Sequence, residues 1–266
     1  MKTAVAFTLV WVLAALFAGC GDRTRATSVT ATQAAAAAPA FDHAPFDEIL
    51  RAHVRSGKVD YQSLKADEGK LERYLGLLAA ADPRQFPDDD DQLAFWLNAY
   101  NAFVLAGVVA RYPGIESVMN VPDFFKQKRW TVGGRRYSLN EIENEIIRPT
   151  FEDPRIHFVL VCAARSCPPL QAKAMKEETL QADLERITHA AINDMAYVRL
   201  DPEAKVLHLT RIMSWYQQDF VDKDGSLEAF LARYLEEPAR RLVAEGGLAI
   251  EFMEYDWALN DAGARA

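Results

Sequence analysis

The sequence predicts an α+β fold: a mainly helical single domain around a small β-sheet. Apolar residues recur at helical spacing in several segments, one long segment is apolar nearly all round, and the β-leaning stretches are short and too scattered for a βαβ alternation. The chain has 266 residues, of which 50% are hydrophobic and 26% charged, a globular composition that excludes wholesale disorder and collagen-like repeats. Thirty Lys and Arg stand against 38 Asp and Glu, for a net charge of −8. No stretch gathers enough basic residues to follow a phosphate backbone, so no nucleic-acid partner is expected.

Residues 1–20 read as a signal peptide of lipoprotein type. Lys2 supplies a positive start, and the uncharged apolar run Ala4 to Phe17 has the length of a signal h-region and is too short to span a bilayer. Leu16-Phe17-Ala18-Gly19-Cys20 follows and resembles the bacterial lipoprotein box, in which the Cys carries the lipid, palmitate included, and becomes the new N-terminus. Phe17 departs from that pattern, and an ordinary secretory signal is the alternative. Cys20 is thus the predicted lipidation site and a lipid anchor in the membrane the predicted partner. The protein is expected to be exported and to face the periplasm or cell envelope. Gly at position 21 in place of Asp favours the outer membrane in a diderm organism. Residues 21–40, rich in Ala and Thr, are too poor in large apolar side chains to repay their ordering entropy and read as a tether. The folded domain is expected over 41–262.

Within it, Phe46, Leu50, His53 and Val54 predict a first helix over 45–55, stopped by Gly57. An extended link at Val59-Asp60-Tyr61 leads to a helix over 64–81, and Pro83 and Pro87 then break the chain. Asp88 to Asp91 are placed to cap the next helix, over 91–111. Its stretch from Phe95 to Leu105 is apolar nearly all round, which belongs at the centre of a fold. Gly133-Gly134 predicts a hairpin over 130–139, followed by a short helix over 139–147. The continuous apolar run from Ile156 to Cys162 predicts a strand buried on both faces. Then come a helix over 177–195, a hairpin of 197–200 with 205–209, helices over 212–220 and 226–236, and a closing strand over 248–255.

His157, Cys162 and Cys167 are the centre of chemical interest, because an element ending in a Ser- and Pro-containing turn both fixes and exposes its last side chain. One reading makes Cys162 a nucleophile with His157 as base and Asn98 as orienter or oxyanion donor. On a regular strand, however, His157 and Cys162 point to opposite faces. The other reading is a Cys162–Cys167 disulfide, suited to an exported chain. Asn98 and Asn101 lie on the apolar helix and must be satisfied there, as clamps on a neighbouring backbone or as part of a polar pocket with Trp96 and Cys167. No metal site and no cofactor is expected. A Cys-x4-Cys pair with one His lacks a fourth zinc ligand. Aligning Gly225 with the glycine of a calcium loop puts Phe220 and Leu231 at ligand positions, and Asp88 to Asp91 sit in no such loop.

Five motifs follow one another in order: Phe95-Trp96-Leu97-Asn98-Ala99-Tyr100-Asn101-Ala102; Ile142-Glu143 with Arg148; His157 through Leu170; Ser214-Trp215-Tyr216 with Asp219-Phe220; and Tyr255-Asp256-Trp257 with Leu259-Asn260. Together they resemble the family called domain of unknown function 547. The resemblance spans Phe46 to Asn260 and implies no established activity. Bacterial members are often exported or lipid-anchored. Plant relatives keep a Cys at the place of Cys162, with Ser at that of Cys167, which moves weight toward Cys162; they lack the His at the place of His157.

The expected function is therefore that of an uncharacterised cell-envelope lipoprotein that binds a ligand or envelope partner through a polar pocket. A thiol-dependent hydrolase or transferase using Cys162 is the alternative, and a thiol redox protein the third reading; the sequence leaves open whether the chain is an enzyme.

Overall fold

The structure, a computed structural model, describes residues 40–263. The signal peptide, Cys20 and all of the tether but Ala40 lie outside the described residues.

The domain opens with α1 (Ala44–His53), which carries Pro45 in its first turn, where a missing amide costs no hydrogen bond. Two-residue strands β1 (Val54–Arg55) and β2 (Lys58–Val59) form a tight antiparallel hairpin. Gly57 holds φ +78° at its turn, and a Cβ there would meet the Pro169 Cβ at 2.3 Å, so backbone and packing both require glycine. The stretch predicted as one helix divides into α2 (Tyr61–Ala66) and α3 (Glu68–Ala80). Asp60 caps α2 by accepting from the Ser63 amide at 2.9 Å.

At the centre lies α4 (Asp89–Val109), capped by Asp88, which accepts from the Asp91 amide, with acidic residues through its first turn. By length and composition α4 could cross a membrane, but its apolar window is almost wholly buried inside the fold. Gly107 lets the neighbouring rings approach: a Cβ there would stand 2.8 Å from the Phe124 ring. The predicted hairpin forms as β3 (Trp130–Val132) and β4 (Arg135–Tyr137), turning on two positive-φ glycines.

A capping box of Ser138 and Glu141 starts α5 (Leu139–Glu141). The helix then widens into a π-helical turn, Ile142–Ile147, before α6 (Arg148–Phe151). Pro149 brings no amide to this last turn, so the i−4 pattern is already interrupted there. Further on come α7 (Leu180–Ile192), β5 (Val198–Asp201), β6 (Val206–Leu209), α8 (Arg211–Trp215), α9 (Gln217–Asp224), α10 (Leu227–Tyr234), α11 (Ala239–Glu245) and β7 (Ala249–Phe252). β5 and β6 pair antiparallel, and β7 joins the other edge of β6 in parallel. The class is α+β and mainly helical, with the sheets limited to two or three strands.

The run from Ile156 to Cys162 is not a strand. Pro154–Phe158 is a 3-10 turn opened by Asp153, whose carboxylate accepts from the Arg155 amide, and residues 159–162 follow without a ladder partner. Their backbone is satisfied by a side chain: Asn101 donates to the Val159 carbonyl at 3.1 Å and accepts from the Val161 amide at 3.0 Å. Asn98 holds Met175 in the same way, donating to its carbonyl at 2.8 Å and accepting from its amide at 2.9 Å. The chain ends also meet: Val59 donates to the Asn260 carbonyl at 3.0 Å, and the Tyr61 hydroxyl donates to Asn260 Oδ1 at 2.8 Å.

Because Val159, Val161 and Asn101 are all buried, truncating the amide leaves two backbone groups without partners in apolar surroundings. Asn101→Ala is expected to lower unfolding free energy by about 3 kcal/mol, measured by urea denaturation; a loss below about 0.5 kcal/mol would show that the clamp does not hold this segment.

Candidate functional site

A cavity of about 320 Å³ opens beside α4. Tyr100 reaches it from α4, Glu143 and Asn144 from the π-helical turn, His157, Cys162 and Cys167 from the clamped segment and its loop, Trp215 and Tyr216 from the α8–α9 corner, and Tyr255 and Trp257 from the C-terminal segment. π-Helical turns displace side chains from their α-helical positions and recur at functional sites. Here the turn places Glu143, Asn144 and Arg148 along one connected set of contacts.

Glu143 is buried and accepts from the Tyr100 hydroxyl at 3.0 Å; Tyr216 lines the same cavity. Burial first, and the neighbouring Glu143 carboxylate second, push both phenol pKa values far up, so both remain protonated donors. Next to them Arg148 grips Asp219 with two prongs, Nε to Oδ2 at 2.7 Å and Nη2 to Oδ1 at 2.6 Å. Its Nη1 donates to Asn144 Oδ1 at 2.6 Å, and its guanidinium lies 5.1 Å from the centre of the Tyr216 ring.

His157 completes this set. Its Nε2 lies 2.7 Å from Asp219 Oδ2, and its ring stacks on Tyr216 with centroids 4.0 Å apart. Burial alone would raise the Asp219 pKa, but the hydrogen bonds from Arg148 and His157 outweigh it and hold the carboxyl well below its usual range. An ionised carboxylate only accepts, so His157 Nε2 must be the donor. In the neutral imidazole the lone pair then sits on Nδ1, which has no hydrogen-bond partner among the described residues. The Asp219 contact thus sets the tautomer and leaves a basic nitrogen on a residue that lines the cavity.

Cys162 and Cys167 are joined by a disulfide on the cavity wall. The Tyr255 hydroxyl lies 3.0 Å from Cys162 Sγ and 3.3 Å from Cys167 Sγ, and burial pushes its pKa up, which keeps it protonated. The loop between the sulfurs is also stitched to the C-terminal segment: Arg165 donates to the Ala258 carbonyl at 2.8 Å, and Asn260 to the Ala163 carbonyl at 3.0 Å. At the opening, Trp215 is 47% exposed and lies nearly parallel to Trp257, with centroids 5.6 Å apart. Tyr255 sits 4.8 Å from the first ring and 4.7 Å from the second. An aromatic cluster with one exposed ring, Trp215, is a surface suited to contact with another molecule.

Of the residues singled out from the sequence, His157, Cys162 and Cys167 share this cavity, while Asn98, Asn101 and Trp96 are not among its lining. Both asparagines are spent on backbone clamps, and Trp96 packs edge-on against Tyr137 beside a different hollow. The parity argument that kept His157 and Cys162 apart falls with the strand on which it rested. They nevertheless make no hydrogen bond to each other; His157 is bound to Asp219 and Cys162 to Tyr255. His189 and His208 lie near Glu236 and Glu251 instead. Role assignment from sequence missed Tyr100, Glu143, Arg148, Tyr216 and Asp219, although all five stand in the motifs that carried the resemblance. The signal was their shared membership of those motifs; their convergence needed the fold.

Comparison with curated proteins and with solved structures found no match. The family model described as protein of unknown function, DUF547, does match, over a stretch that contains α4 with both clamps, the π-helical turn, His157 and the two cysteines. It covers residues 83–190, and over this stretch the chain is similar to that family.

Proposed function

We propose that the protein is a binding module for a small organic molecule, taken up in the cavity between α4, the π-helical turn and the C-terminal segment. One observation carries this reading: a few polar groups converge in an otherwise aromatic cavity, and their geometry is fixed by contacts outside it. Ligand pockets have this composition and begin at about 300 Å³. The family itself is uncharacterised, so the chemistry of the lining is what selects a ligand. Trp215 and Trp257 offer flat faces to a ring or an alkyl chain. Glu143 and the Nδ1 of His157 offer acceptors, so the matching ligand carries hydrogen-bond donors on its inner side.

A panel of small metabolites screened by thermal shift, with tryptophan emission as second readout, tests this. A binder is expected to quench Trp215 and Trp257, and Glu143→Gln is expected to weaken it about tenfold while leaving the melting temperature of the free protein within about 3 °C. Stabilisation by every binder that is indifferent to Glu143→Gln would sink the assignment.

Thiol chemistry is the second reading, favoured by the position of the cysteine pair on the same lining as His157. Reduction would give two thiols on the same cavity lining as an imidazole, and a nucleophilic or redox cysteine needs a nearby group of that kind. Alkylation mapped by mass spectrometry separates the readings. Modification of Cys162 and Cys167 only after reduction is expected for the binding module, whereas rapid labelling of native Cys162 would make thiol chemistry the leading assignment.

The sequence of residues 1–40 supports an exported protein held to a membrane by lipid on Cys20 and displayed on a tether toward the periplasm or cell envelope. Metabolic labelling with palmitate is expected to mark the wild-type protein and to be lost in Cys20→Ser; label retained in the variant would remove the anchor from this account.

A further inference from the structure

Away from that cavity, the start of α4 carries an arrangement of carboxylates that helix capping does not explain. One oxygen from each of Asp88, Asp91 and Glu177 lies within 4.8 Å of the other two. Asp88 is occupied on one oxygen, accepting from the Asp91 amide at 3.0 Å. Asp91 is different: it is only 5% exposed, and its Oδ2 is buried with no hydrogen-bond partner. No Lys, Arg or His nitrogen comes within 4.0 Å of any of the three carboxylates among the described residues. Lys176, which lines a hollow of about 240 Å³ together with Asp91 and Glu177, is among those that do not. A buried carboxylate beside two other carboxyls, with one oxygen that finds no donor and no cation within 4.0 Å, is a costly arrangement unless something positive enters between them.

The third carboxylate is delivered by design of the backbone. Glu177 arrives from a segment far along the chain, and the residues just before it are pinned to the core at two points. Ala174 donates to Asp47 Oδ1 at 3.0 Å, and Met175 is held from both sides by Asn98. Two residues beyond this clamp, Glu177 stands against Asp91. A positioned set of ligands from two distant segments is what distinguishes a built cation site from a chance acidic patch.

We propose that Asp88, Asp91 and Glu177 form a binding site for one hard divalent cation, of the calcium type. The donor set is all oxygen, which excludes the soft metals as preferred ligands' partners and favours calcium, magnesium or manganese. Calcium fits best among these. It accepts irregular, six- to eight-fold coordination with carboxylates binding through one or both oxygens, and it tolerates an open side filled by water, as at the exposed Asp88. Magnesium demands near-octahedral geometry and keeps most of its water. The bound ion would cross-link the first turn of α4 to the segment leading into α7. The site does not depend on what occupies the aromatic cavity.

The experiment is calcium titration of the full-length protein after removal of metal with EDTA and dialysis, followed by calorimetry and thermal denaturation, with magnesium and potassium chlorides as comparisons. One calcium per chain is expected, with a melting temperature raised by about 5 °C at a hundredfold excess over the dissociation constant. Asp91→Asn removes the buried charge without changing its shape, and Glu177→Gln alters only the delivered ligand; both are expected to abolish the heat and the shift while folding as wild type. Absence of calcium binding in the wild type overturns the proposal. So does binding that survives in both variants, or a magnesium response equal to that of calcium. A wild type indifferent to calcium with a more stable Asp91→Asn would show that the carboxyls share a proton instead, and likewise overturns it.

Discussion

Asn101 joins the core of this protein to its cavity. Its amide is the partner of backbone groups at Val159 and Val161, so a stretch with no strand neighbour is fixed as firmly as one in a sheet. Everything that lines the cavity from this stretch inherits its position from that contact: His157 two residues before the clamped carbonyl, Cys162 one residue after the clamped amide. The helix that carries Asn101 is itself immobilised by apolar contact on nearly every side. A polar side chain in such a helix is normally a liability, and here its desolvation is offset by two hydrogen bonds that no water could replace.

The remaining polar groups of the site are connected in the same economical way. Asp219 is shared by Arg148 and His157, Arg148 reaches back to Asn144, and the Tyr216 ring packs against both the guanidinium and the imidazole. One cation and one anion cancel within hydrogen-bonding distance, and the phenol of Tyr100 donates to Glu143. A site whose groups are already fixed by their own contacts would lose little conformational entropy on taking up the proposed ligand. The π-helical turn makes this possible by bringing Glu143 toward α4 and Arg148 toward α9 from a single short segment.

Elements whose cause is local were legible in the sequence. Asp88 caps α4 as its position implied, the Gly133-Gly134 pair turns a hairpin, and the apolar segment from Phe95 to Leu105 is the core helix. The run from Ile156 to Cys162 was misleading because its hydrophobicity reported burial correctly and backbone geometry not at all. Its partner is a side chain 58 residues earlier, and no periodicity encodes that. The two asparagines were legible as groups requiring satisfaction, with a backbone clamp favoured over a place in a polar pocket, and the clamps are what they form. Glu143, Arg148 and Asp219 were visible as motif letters, but a carboxylate, a guanidinium and an imidazole from three segments acquire a role only once they are adjacent. The same holds for Glu177, whose relation to Asp91 depends on the Asn98 clamp between them.

The matched stretch ends at residue 190, whereas Trp215, Tyr216, Tyr255 and Trp257 also line the cavity and Asn260 closes the tail onto β2. The cavity is therefore assembled from both sides of that boundary. His157 lies inside the matched stretch, and the carboxylate that orients it, Asp219, lies beyond it. A fragment ending at residue 190 would keep the Asn101 clamp but lose the group that fixes the imidazole and the rings of the C-terminal segment, so the matched stretch cannot carry this site by itself.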